Sequence, residues 1–206
     1  MRGMATDEDA EILRLMREAI HKSRGYASYW EWKLDKQQPE LHAARVLSRF
    51  LFRDQDYSVS SVTNDPPDAV VQLGTRRYGI EVTEIVDQKA VERASKRKKQ
   101  GLPVEYDWAN WNSDRLYEAL EQGLVTKDRK LVAHAQNYDE LLLAFVTDGG
   151  MIDSRLAAAV AGRIHSDTRY IDRAFVILSY DPNANELVFP DRCPIFELEI
   201  KQSNAA

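Results

Sequence analysis

Apolar residues recur along the chain in two periods, and their alternation sets the expected architecture. Across 6–22, Ala10, Leu13, Leu15, Met16 and Ile20 form a broad stripe at helical spacing, closed by Gly25. Residues 26–38 are aromatic-rich (Tyr26, Tyr29, Trp30, Trp32) and read as a loop or short helical turn. Pro39 then sits where a helix's first turn tolerates proline, and 40–52 reads as a second helix. Glu40, Ala43, Ala44, Leu47 and Leu51 fall on one side of it.

The period next drops to two, predicting strands at 57–62, 69–73 and 77–85. A basic segment follows at 89–100 and is broken by Gly101 and Pro103. Helical spacing returns at 114–123, with Ser113 as the N-cap and room to run on through Lys130. Residues 141–147 are a continuous apolar run, as in a strand covered on both faces. After the Asp148-Gly149-Gly150 turn, Asp153 or Ser154 caps a helix carrying Leu156, Ala159, Val160 and Ile164. Strands at 175–179 and 196–200 end the pattern. Helices first, then strands interleaved with helices, predict an α/β domain with a mixed central sheet. No repeat or composition break divides the chain, so 1–206 reads as one domain with a helical, aromatic N-terminal extension at 1–38.

Composition narrows the class. At 44% hydrophobic and 30% charged, the 206 residues exclude a wholly disordered or collagen-like chain. A single cysteine, Cys193, excludes an internal disulfide and a multi-cysteine zinc site, and the expectation is an intracellular protein. No apolar stretch approaches the roughly 20 residues of a membrane span. The polar, acidic start at 1–9 lacks a signal peptide's apolar core, so the expected location is the cytoplasm.

Net charge is −5, so attraction to nucleic acid must be local. Lys89, Arg93, Lys96, Arg97, Lys98 and Lys99 stand against one acid, Glu92. This run is either a solvated surface or a phosphate-binding patch. Trp108 and Trp111, just beyond it, are packing residues or platforms for an unpaired base.

The most informative segment is the hairpin expected around Gly74-Thr75, where glycine first suits a type II′ turn. Leu73 then pairs with Arg76, Val71 with Tyr78 and Ala69 with Ile80, which lays Asp68 opposite Glu81. One face collects Ala69, Val71, Leu73, Tyr78, Ile80 and Val82; the other carries Asp68, Val70, Gln72, Glu81 and Thr83. Like charges directly opposed destabilise a sheet, so a cation belongs between them. A divalent metal is the economical choice, since Mg²⁺ is held by one or two carboxylates plus water and phosphate oxygens.

Pro67-Asp68, twelve intervening residues and Glu81-Val82-Thr83 resemble the motif of the PD-(D/E)XK nuclease-like family. The resemblance implies a restriction-endonuclease-like core, a mixed sheet flanked by helices. It makes Asp68 and Glu81 ligands for Mg²⁺ or Mn²⁺, with the Val82 carbonyl and Glu40 as further candidates. The family carries lysine where this chain has Thr83, which can hydrogen-bond water but supplies no positive charge. Lys127 and Lys130, with Lys89 behind them, are the candidates to supply it from a neighbouring element. The implied reaction is metal-assisted hydrolysis of a phosphodiester, with DNA the expected substrate and RNA open.

Two other readings stand beside it. One is a catalytically inactive relative that binds nucleic acid or a protein partner; the other is an acidic regulatory protein using its aromatic N-terminal segment. A homodimer would suit a duplex substrate with two opposed strands. His21, His42, His134 and His165 lack metal-site spacing, and Cys193 has no histidine partner for nucleophilic chemistry. No phosphate-binding or dinucleotide-binding glycine motif occurs.

Overall fold

A computed structural model describes residues 37–62, 66–85, 96–97, 99–102, 111–147, 152–178 and 193–202. The expected helix at 6–22, the aromatic segment, Lys89, Arg93, Lys98 and Trp108 lie outside these residues. The described chain opens with helix α1 (Gln37–Leu51), followed by strands β1 (Tyr57–Ser61), β2 (Ala69–Leu73) and β3 (Arg76–Glu84). Helix α2 (Ser113–Leu131) and a short 3₁₀ turn lead into β4 (Glu140–Thr147). Helix α3 (Ser154–Ala161), β5 (Ile164–Thr168), β6 (Arg173–Leu178), β7 (Ile195–Glu197) and β8 (Glu199–Gln202) complete it.

Six strands form one mixed sheet in the order β1-β2-β3-β4-β6-β7. β2 runs antiparallel to both β1 and β3, β4 joins β3 in parallel and β6 joins β4 in parallel, while β7 returns antiparallel. The protein is thus α/β with a mixed central sheet flanked by helices.

Each face of the sheet has its own core. Ala43, Ala44 and Leu47 of α1 cover Ala69, Val71, Tyr78, Ile80 and Val82, together with Leu142, Ala144 and Phe175. Leu116, Leu120, Leu124 and Leu131 of α2 cover the opposite face, on Leu141, Leu143, Phe145 and Val176. This two-sided burial explains why β4 has no polar alternation: 141–147 is buried throughout. The hairpin has the expected register, Ala69 with Ile80, Val71 with Tyr78 and Leu73 with Arg76. Gly74 has φ +57° and, among the described residues, no non-glycine residue has positive φ, Thr75 included, as a type II′ turn requires.

Three local expectations are corrected. Asn112, not Ser113, caps α2: its Oδ1 accepts the Arg115 N–H at 2.9 Å, and Ser113 is the first helical residue. Helix α3, capped by Asp153, stops at Ala161, so Ile164 begins β5 and is 55% exposed rather than part of the helix's apolar stripe. The strand expected at 196–200 divides at Leu198 into β7 on the main sheet and β8 beside β5. Buried Leu198 donates its N–H to the Ala174 carbonyl at 2.8 Å, anchoring the chain where it changes sheet. Among the described residues no helix is long and apolar enough to cross a membrane.

Candidate functional site

Strand β3 runs through the middle of the sheet, and its alternation decides which residues meet which helix. Ile80 and Val82 point to the α1 side, so Glu81 between them points to α2. Its side chain is fully buried. An isolated carboxylate there would cost several kcal/mol of lost hydration. Two ammonium groups offset this: Lys127 Nζ lies 2.5 Å and Lys130 Nζ 3.3 Å from the same oxygen, Oε1. The other oxygen, Oε2, is the only buried side-chain polar atom without a hydrogen-bond partner among the described residues.

The lysines reach Glu81 because of how α2 packs. Leu116, Leu120 and Leu124 recur every four residues along its buried stripe, and Lys127 comes three residues after Leu124. Gly123 lets the helix approach the sheet, since a Cβ there would lie 2.4 Å from Phe145 Cε1. Burying each leucine contributes roughly 1.5–3 kcal/mol, enough to hold down a helix that carries charge on its inner side. Polar clasps fix the other flank. The Asp128 carboxylate accepts N–H groups from Arg169, Tyr170 and Ile171 at 2.8–3.2 Å. Glu121 accepts from Ser166 and contacts Nδ1 of buried His165 at 2.8 Å. Burial pushes the Glu121 carboxyl upward, but hydrogen bonds from Ser166 and His165 outweigh it and hold the group below the usual range.

Asp68 stands at the entrance to β2 and is nearly buried. Its Oδ2 accepts the Val82 N–H at 2.6 Å. The N–H and C=O of one strand residue leave on the same side, so the Val82 carbonyl also faces the β2 edge. Pro67 leaves the β2–β3 register, which is paired as far as Ala69 and Ile80: its ring packs over Gly79 on the α2 side, with Cγ 3.0 Å from where a Gly79 Cβ would lie.

The candidate oxygen donors are the Asp68 and Glu81 carboxylates and the Val82 carbonyl, with Glu81 Oε2 buried and without a hydrogen-bond partner. Oxygen donors of this kind fit Mg²⁺ or Mn²⁺ and do not fit a sulfur- and nitrogen-seeking metal. Among the described residues no group of three or more His, Cys, Asp or Glu gathers to hold a metal. Glu40 lies half-buried in the first turn of α1, which packs on the other face of the sheet. Thr83 is half-buried two residues beyond Glu81 and pairs with Phe145.

The basic segment is described only in part. Lys96 and Lys99 are exposed, and Arg97 is half-buried. Trp111 is half-buried against the α2 core, with the Arg115 guanidinium 5.3 Å from its ring centre, so its ring is engaged in packing. Comparisons with family models, with curated proteins and with solved structures find no match to this chain.

Proposed function

We propose that this protein is a metal-dependent nuclease that hydrolyses phosphodiester bonds in DNA. The observation that carries the reading is Glu81, a fully buried carboxylate with one oxygen on two lysines and the other unpaired. A residue serving stability alone would have both oxygens satisfied. The resemblance of Pro67-Asp68 and Glu81-Val82-Thr83 to the PD-(D/E)XK pattern supports the reading, as does the order helix, three strands, helix, strand through β4.

In this reading Asp68, Glu81 and the Val82 carbonyl hold a Mg²⁺ or Mn²⁺ ion. When bound, such an ion supplies Lewis-acid activation of water and neutralises charge at the phosphate. Asp68 is oriented by the Val82 N–H, and Glu81 by Lys127 and Lys130. One of those ammonium groups takes the place of the family's motif lysine, stabilising negative charge that develops on the phosphate, which Thr83 cannot do. Exposed Lys96 and Lys99 add sequence-independent attraction to the nucleic acid backbone.

Cleavage of supercoiled plasmid and single-stranded DNA with Mg²⁺ or Mn²⁺ tests the proposal. Metal-dependent cutting is expected in the parent, with at least about a hundredfold loss in both Asp68→Ala and Glu81→Ala. Cutting that persists in both variants, or occurs equally with EDTA, overturns it. Thr83 favours a second reading, an inactive relative that binds nucleic acid. Strongly salt-dependent binding without cleavage would select that reading.

A further inference from the structure

Both ammonium groups of the site contact the same carboxylate that the metal needs. Lys127 is the more enclosed, its side chain 20% exposed against 43% for Lys130, and it makes the shorter contact. Oε2 shares its negative charge with Oε1 through resonance, so a divalent ion reaching Glu81 meets a group already neutralised by Lys127 and faces that ammonium across one carboxylate. Because α2 is held by its leucines, by Asp128 and by Glu121, the helix cannot retreat. The lysine side chains alone must adjust.

We infer that Lys127 and the divalent ion compete for Glu81, so the free protein holds the metal weakly and a phosphodiester tightens it by drawing the ammonium groups onto its own oxygens. This rests on the metal site proposed above. A phosphodiester suits the role because its two non-bridging oxygens can accept from an ammonium group and contact a divalent ion together. Metal and nucleic acid then bind cooperatively, each raising affinity for the other by the same factor. Lys127 has two states: counter-ion to Glu81 in the free protein and phosphate ligand in the complex.

The test is calorimetric titration of MnCl₂ into the full chain at pH 8, with the parent, Lys127→Met and Asp68→Asn proteins. A second arm repeats the parent and Lys127→Met titrations with a hydrolysis-resistant phosphorothioate oligodeoxythymidine, corrected for manganese bound by the oligonucleotide alone. Removing a cation beside the ion should tighten manganese binding by Lys127→Met at least about tenfold. The oligonucleotide should tighten binding by the parent several-fold more than by the variant, which keeps only the direct phosphate contact with the ion and Lys130. Asp68→Asn should bind no manganese at the site. Asp68-dependent binding that Lys127→Met leaves unchanged or weakens would overturn the competition while sparing the metal site. Absence of Asp68-dependent binding in every protein would overturn the site itself. If Lys127→Met does not fold, the oligonucleotide arm on the parent decides, and unchanged manganese affinity there sinks the inference.

Discussion

Glu81 is an expensive way to build a strand. Its unpaired Oε2 alone costs about 1–3 kcal/mol in lost hydration, and the lysines that hold Oε1 are themselves drawn partly from water. Replacing a buried ion pair by an apolar residue of similar size is often neutral or stabilising. The Glu81→Leu/Lys127→Met double variant, which removes both partners of the enclosed pair and leaves the more exposed Lys130 to turn to solvent, is therefore expected to keep its folding stability within about 1 kcal/mol of the parent, or to exceed it, while losing metal binding. Urea unfolding checks this. A loss of about 3 kcal/mol or more would mark Glu81 as a structural ion-pair residue instead. At this scale the facing of Glu81 away from the α1 core was legible in the sequence, because a two-residue turn and strict alternation leave one register that buries the apolar face. Lys127 was only half legible. A helix-terminal lysine has an ordinary explanation in the dipole, and its place three residues after Leu124 on a buried stripe gains meaning only once the stripe faces Glu81.

Among the elements, α2 does the positioning. Gly123 lies tight against Phe145 of β4, and the helix from there carries Lys127 one turn onward to Glu81. Gly123→Ala gains helix propensity of up to about 1 kcal/mol but forces Cβ into Phe145. Overpacking of this kind costs typically 1–3 kcal/mol, so a net loss of up to about 2 kcal/mol is expected by chemical denaturation. DNA cleavage should fall by more than the small change in folded population explains, because the lysines move with the helix. Unchanged stability and activity would show that the close approach is not needed. The expected helices and strands of the sheet were legible where one period runs long enough to name a face, as in β2, β3 and α2. The break at Leu198 was not, since β7 and β8 share one apolar pattern and part company only because β6 and β5 offer different edges. Exposed Ile164 misled for a related reason: helical spacing from Val160 continues past Gly162, where α3 has already ended.

On the scale of the whole molecule, two-sided burial of the sheet explains both the plain apolar run of β4 and the cost of the acid on β3 beside it. Helix α1 closes one face with Ala43, Ala44 and Leu47, whereas α2 brings charge to the other through Lys127. The mixed sheet was legible as a class from the order of elements; its strand order was not, because it depends on pairings remote in sequence. Crystals grown with MnCl₂ and measured for anomalous scattering at the manganese edge test the central claim most directly. The expected result is a strong peak within coordinating distance of Glu81 Oε2 and the Asp68 carboxylate, lost in crystals of Asp68→Asn. An ordered Glu81 still held by Lys127 at saturating manganese, with no peak between the two carboxylates, would contradict it.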